Sequence, residues 1–152
     1  MSVDQRQRVK NLLQTIVVTL DDGLTAADIM VMYSGGPETL KYLFNVTDFD
    51  VIITIDRPSS RESGEQRRIQ DAPLRYNADV PVHVMAIDQT GLTATKVLNK
   101  VRLQIEAIIG ANAQQTGYTL IIQTERPTNQ RIGGYDLLWK DDYVILYRPV
   151  VS

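Results

Sequence analysis

Residues 74–84 read LRYNADVPVHV, and this stretch decides the fold because its apolar and polar residues alternate. Successive side chains of a strand point to opposite faces, so the alternation predicts a strand with one face on a core and one in water. Pro81 has no backbone N–H to donate, so we expect the strand to lie at a sheet edge there or to carry a bulge. The apolar positions are Leu74, Tyr76, Ala78, Val80, Val82 and Val84, and the polar ones are Arg75, Asn77, Asp79 and His83.

Two helices flank this strand along the chain. Apolar residues recur at three- and four-residue steps over residues 3–20 and again over residues 93–109, which predicts two amphipathic helices. Asp21-Asp22-Gly23 is predicted to end the first helix, with Gly23 in the left-handed conformation. Thr93 is predicted to cap the second helix.

The remaining segments complete an α+β pattern. Residues 28–33, 49–56 and 118–124 are predicted strands, and Pro37 is predicted to open a short helix that ends at Leu43. Residues 135–149 are predicted to form a hairpin that turns at Lys140-Asp141-Asp142. The economical packing of these elements is a mostly antiparallel sheet with two helices on one face, in a single domain over residues 1–152.

Composition limits the classes of function. The 152 residues are 43% apolar and 22% charged, with a net charge of −2, which is typical of a globular protein without a generally basic surface. The chain has no cysteine and one histidine, so thiolate and multi-histidine metal sites are excluded. No signal peptide or membrane-spanning run is apparent, so we expect a soluble, cytoplasmic protein. Gly35-Gly36 and Gly133-Gly134 lack the lysine and spacing of a phosphate loop, and we expect no cofactor.

A long basic segment, RPSSRESGEQRRIQ, follows the strand predicted over residues 49–56 and is predicted to be an extended loop. Long loops within a compact domain are usually functional or disordered. Mixed arginine and glutamate suit contact with an identical neighbour, so we interpret the segment as an assembly arm that is mobile in the isolated subunit. The prolines at its two ends, Pro58 and Pro73, suggest a strand–loop–strand arrangement. The candidate interaction residues are Arg57, Arg61, Arg67 and Arg68.

Catalytic and nucleic-acid interpretations have weaker support. Asp50, Asp56 and Glu62 suggest the carboxylates of a metal-dependent nuclease, but no lysine lies between Lys41 and Lys96 to complete that arrangement. His83 has no serine or cysteine constellation around it and is interpreted as an exposed structural histidine. The arm's arginines are interleaved with glutamates and lack aromatic neighbours, so we expect no nucleic-acid binding.

The order of segments resembles the tail-terminator and tail-completion (neck) proteins of long-tailed viruses and proviruses. The first helix of such proteins corresponds to RVKNLLQTIVVTL, and their strands with an extended arm correspond to FDVIITID through the basic segment to PVHVMAID. Their second helix corresponds to TATKVLNKVRLQIEAII, and their final strands correspond to YTLIIQTERP and DDYVILYRPV.

The resemblance implies a non-enzymatic structural protein of the virion, made in the host cytoplasm. It would assemble into a homo-oligomeric ring that contacts tail-tube or neck proteins. Two alternatives stay open. One is a small nuclease or nucleic-acid-binding protein that uses the same arginines, and the other is a cellular α+β domain that binds a protein partner.

Overall fold

The structure is a computed structural model that describes residues 5–33, 49–57, 59–62, 76–115, 118–124, 130–131 and 137–149. The described part contains two helices and eight strands. The helices are α1, Gln5–Leu13, and α2, Ala94–Ala111. The strands are β1, Ile29–Tyr33; β2, Val51–Ile55; β3, Ser59–Glu62; β4, Tyr76–Ile87; β5, Gln114–Gln115; β6, Tyr118–Thr124; β7, Gln130–Arg131; and β8, Leu138–Pro149.

One sheet joins these strands in the order β1-β2-β4-β8-β6-β5, while β3 pairs with β4 and β7 pairs with β8. The α+β class is therefore confirmed. The sheet is mixed, because β1 and β2 pair in parallel whereas the other named pairs are antiparallel. β4 and β8 form its centre, with continuous pairing from Ala78 and Tyr147 to Ile87 and Leu138.

The main core lies between one face of this sheet and both helices. Val9 and Leu13 of α1 and the apolar stripe of α2 belong to the same buried cluster as alternate residues of β2, β4 and β8. We call this the helix face of the sheet. The stripe of α2 agrees with its prediction, and its buried members are Ala94, Val97, Leu98, Val101, Ile105 and Ile109.

The strand predicted over residues 74–84 is observed as β4, and its predicted apolar face is buried from Ala78 to Val84. The prediction of a sheet edge at Pro81 is wrong, because β4 has partners on both sides. The alternative, a bulge, is present, but its extra residue lies in the strand that faces Pro81 and not in β4 itself. Ile55 pairs with Val82 and Ser59 pairs with Asp79, so the strand opposite Pro81 contains one extra residue. The Asp56 N–H donates to the Pro81 carbonyl at 2.9 Å. Pro81 has no N–H that could donate back to the facing strand, and the bulge lies at this point.

The first helix is shorter than predicted. It ends at Leu13, and the burial of Ile16 and Val18 on either side of exposed Val17 shows the alternation of an extended chain. The Asp21-Asp22-Gly23 sequence therefore does not end a helix. It forms a turn between the bridged residues Thr19 and Ala26, although Gly23 has the predicted left-handed conformation, with φ of 70°.

The hairpin predicted over residues 135–149 is wrong. Residues 138–149 form the single strand β8, and Lys140, Asp141 and Asp142 lie within it rather than in a turn. Both aspartates are buried. Burial is possible because Tyr143 donates to Asp141, while His83 and Lys140 lie beside Asp142. The strands predicted at 28–33, 49–56 and 118–124 are observed with nearly the same bounds. The short helix predicted from Pro37 to Leu43 lies outside the described residues.

Candidate functional site

A network of ionisable side chains lies on the sheet face opposite the helices. His83 is the register partner of Thr54 on β2 and of Asp142 on β8, so the three side chains lie side by side across three strands. The His83 Nδ1 atom is 2.6 Å from Asp142 Oδ1, and the Nε2 atom is 2.8 Å from Asp56 Oδ2. Both ring nitrogens of the chain's one histidine are therefore within hydrogen-bond distance of a carboxylate.

The two carboxylates of this network differ in environment. The Asp142 side chain is only 4% exposed, and Lys140 Nζ lies 3.4 Å from its second oxygen. Asp56 is 36% exposed and lies at the bulge, directly after β2. Burial raises the pKa of Asp142. The hydrogen bond from His83, the charge of this imidazole and Lys140 lower the pKa, and their combined effect is larger than that of burial. The pKa of Asp142 therefore lies below its ordinary value, and this carboxyl stays ionised although it is buried.

The expectation that His83 is an exposed structural histidine is corrected by this geometry. Its side chain is only 26% exposed and joins two carboxylates from different strands. The sequence did contain one usable signal. If residues 138–149 are taken as one strand, Asp142 falls two positions from Lys140 and Val144 on the polar face, where a histidine of the neighbouring strand can meet it.

Asp141 points to the opposite face of the sheet, into the main core. Its Oδ2 atom accepts a hydrogen bond of 3.0 Å from the hydroxyl of Tyr143, and both residues are fully buried. Burial, the charge of Asp141 and this hydrogen bond raise the pKa of Tyr143 far above its ordinary value. The tyrosine therefore remains a neutral donor to Asp141 at neutral pH.

The four arginines predicted as interaction residues are only partly placed. Arg57 is exposed and follows Asp56 in the bulge, and Arg61 lies in β3, where it pairs in register with Asn77. Arg67 and Arg68 lie outside the described residues. The expectation of an irregular segment is wrong for Ser59–Glu62, which form β3 against the beginning of β4. β2 and β3 both pair with β4, and their registers differ by one residue because of the bulge between them. β3 therefore continues the ladder that β2 forms with β4.

The carboxylates considered for a nuclease do not converge. Asp50 precedes β2 and accepts hydrogen bonds from the Asp28 N–H and the Gln89 amide, at 2.8 Å and 3.0 Å. Asp56 follows the other end of the same strand, which places the two roughly 20 Å apart along the chain direction. Glu62 lies in β3. Within the described ranges, no group of three or more potential ligands is arranged to hold a metal ion.

Cations of α1 rest on aromatic rings of the sheet. The Arg8 guanidinium lies 4.2 Å from the ring centre of Tyr118, which is stacked on Tyr147 at 4.7 Å. Lys10 Nζ lies 4.8 Å from the centre of the Tyr33 ring. These contacts hold the helix on the sheet.

No protein-family model and no curated protein matches this sequence. Of the helices that the structure describes, neither is long and apolar enough to cross a membrane.

Proposed function

We propose that the chain is a structural protein of a viral tail or neck, similar to tail-terminator and tail-completion proteins, that acts by assembling into a homo-oligomeric ring. The observation that carries this proposal is the pairing of strands β3 and β4 on either side of the basic arm. Glu62 and Tyr76 are register partners, so the residues on either side of positions 63–75 lie next to each other where β3 and β4 pair. This pairing agrees with a strand–loop–strand arrangement around the basic segment.

The charges of the basic segment suit contact between identical subunits. Arg57 is exposed at its base, and the sequence of the arm carries both arginines and glutamates. Arginine binds carboxylates through two parallel hydrogen bonds, and the chain's excess of acidic residues offers such carboxylates on a neighbour. A contact between two different patches repeats from subunit to subunit and closes a ring when the rotation allows it.

The order of elements supports the same proposal. The chain proceeds from α1 through β1, β2, β3, β4 and α2 to the paired strands β6 and β8. This is the order of helix, strands with arm, helix and strands on which the resemblance rests. The early end of α1 does not change that order.

Mass measurement in solution tests the proposal, followed by a variant of the arm. We expect a species several times the 17.1 kDa of the subunit. Replacing Arg57, Arg61, Arg67 and Arg68 with alanine is expected to leave the unfolding of the subunit nearly unchanged and to weaken assembly, most strongly at low salt, where charge contacts are least screened.

The matched control is the variant Lys96→Ala/Arg131→Ala, which removes exposed cations outside the arm. It is expected to assemble like the unmodified chain. A chain that stays at the mass of one subunit at every concentration would contradict the proposal. Normal assembly of the quadruple variant would show instead that the arm is not the contact.

A further inference from the structure

The contacts of His83 require one more proton than its neutral state supplies. A neutral imidazole has one N–H and one acceptor nitrogen, and an ionised carboxylate only accepts hydrogen bonds. The distances of 2.6 Å to Asp142 and 2.8 Å to Asp56 can both be hydrogen bonds only if the three groups share an additional proton. If that proton is lost, one ring nitrogen and one carboxylate oxygen face each other with lone pairs only.

The contact with Asp56 is the one that opens when the proton leaves. Asp142 is buried and is also bound by Lys140, so it has no solvated alternative. Asp56 is 36% exposed and can turn to water. Asp56 also lies at the bulge that begins the arm, between β2 and Arg57, and its amide bonds to Pro81. Release of its carboxylate therefore leaves Asp56, the residue before the arm, with its backbone hydrogen bond to Pro81 but without its contact to His83.

We propose that Asp56, His83 and Asp142 form a proton-operated clasp that fixes the base of the arm to the centre of the sheet. At lower pH the clasp is closed, because the shared proton completes both hydrogen bonds. As the pH rises the proton leaves and the clasp opens at Asp56. The consequence for assembly rests on the proposed function of the arm, whereas the clasp itself does not.

The surroundings of His83 limit which groups can set this response. Among the described residues, the charged side chains facing it are Asp56 from the end of β2 and Asp142 with Lys140 from β8. Thr54, its partner on β2, is uncharged. Along β4, Asp79 lies on the same face but is bound to Arg148 at 3.1 Å.

The chain has one histidine, so its imidazole resonances can be followed by NMR without assignment ambiguity. We expect Asp56→Asn to release the second imidazole proton under conditions in which the unmodified chain still holds it. The amide introduced at position 56 can donate to a neutral ring nitrogen, so the extra proton is no longer needed. Asp50→Asn, at the other end of β2, is the control and is expected to leave the release unchanged. Identical release in the unmodified chain and Asp56→Asn would overturn the proposal.

Amide exchange tests the mechanical part of the clasp. Across the pH of proton release, we expect the protection of Asp56 and of Ser59–Glu62 to fall about tenfold relative to Ile145 of β8, the loss expected for one hydrogen bond to a charged group. His83→Gln keeps a polar side chain at the position but cannot take up the proton, so its arm should show no such pH dependence. Constant relative protection in the unmodified chain, or the same fall in His83→Gln, would overturn the proposal.

The mass of the chain, measured over the same pH range, separates the two proposals. A ring whose stability changes with the release of the imidazole proton supports both. If the chain is a single subunit at every pH, the assembly proposal fails, while the imidazole and exchange measurements still decide the clasp.

Discussion

Two adjacent carboxylates show how a single position in a strand decides the role of a residue. The pleat of β8 sends Asp142 to the open face, where His83 and Lys140 bind it, and sends Asp141 into the core, where Tyr143 donates to it. A buried carboxylate is strongly destabilising without donors. The partners of these residues therefore explain why the sequence tolerates both aspartates at the centre of the sheet.

The hydroxyl of Tyr143 gives a test at this scale. Tyr143→Phe keeps the ring and removes one donor to the buried Asp141, so we expect the free energy of unfolding to fall by about 1–3 kcal/mol. Tyr147→Phe is the control, since the Tyr147 hydroxyl accepts a hydrogen bond from Arg8 in a half-buried position and is expected to cost less. Urea unfolding measures both. Equal stability of Tyr143→Phe and the unmodified chain would contradict the assigned hydrogen bond.

At the scale of elements, burial decides where each helix ends and which face it presents. After Leu13 the β-branched residues Thr15, Ile16, Val17, Val18 and Thr19 follow one another, and these side chains are less restricted in an extended chain than in a helix. The extended chain still buries Ile16 and Val18 in the main core. In α2 no such conflict arises, because its helical stripe already matches the core.

Two positions of α2 test which face packs on the sheet. Ile105 is fully buried, whereas Leu103 is 61% exposed on the same helix. Ile105→Asp places a charge without a partner in the core and is expected to lower the free energy of unfolding by several kcal/mol, roughly as the largest single substitutions do. Leu103→Asp is expected to change it by about 0.5 kcal/mol or less. Thermal unfolding that does not distinguish the two variants would contradict the packing of α2.

At the scale of the whole molecule, three aspartates that lie just outside β2 and β4 have separate partners. Asp50 bonds to a backbone amide and to Gln89, Asp56 bonds to His83, and Asp88 holds the start of α2 and the indole of Trp139. Metal-dependent cleavage of DNA needs carboxylates that converge on one ion. Within the described residues, Asp50 and Asp56 are therefore not arranged around a common ion.

Incubation with single- and double-stranded DNA in the presence of Mg²⁺ or Mn²⁺ tests the nuclease alternative directly. We expect no cleavage above a buffer control. Cleavage that depends on the metal and disappears in Asp50→Ala or Asp56→Ala would establish the nuclease instead. Cleavage that persists in both variants would point to a contaminating enzyme, which a second purification step would remove.

The elements with a clear period were predictable from local sequence. The alternation over residues 74–84 and the stripe of α2 determined their own secondary structure and buried faces, since a strand or a helix repeats its side-chain directions at fixed intervals. The α+β class followed from these patterns and their order. The basic composition of the arm also marked it as a candidate interaction segment, because few of its side chains can contribute to a core.

Only the tertiary structure decided the rest. The parallel pairing of β1 with β2, the bulge opposite Pro81 and the single strand in place of a terminal hairpin all depend on which strand lies beside which. The network of His83 depends on the same arrangement, since Asp56 and Asp142 are 27 and 59 positions away in the sequence. Local sequence favours Lys140-Asp141-Asp142 as a turn because charged side chains prefer water. Once the sheet forms, His83 of β4 and Lys140 bind Asp142, and Tyr143 of the same strand donates to Asp141. These partners replace water, and both aspartates become stable in the middle of a strand.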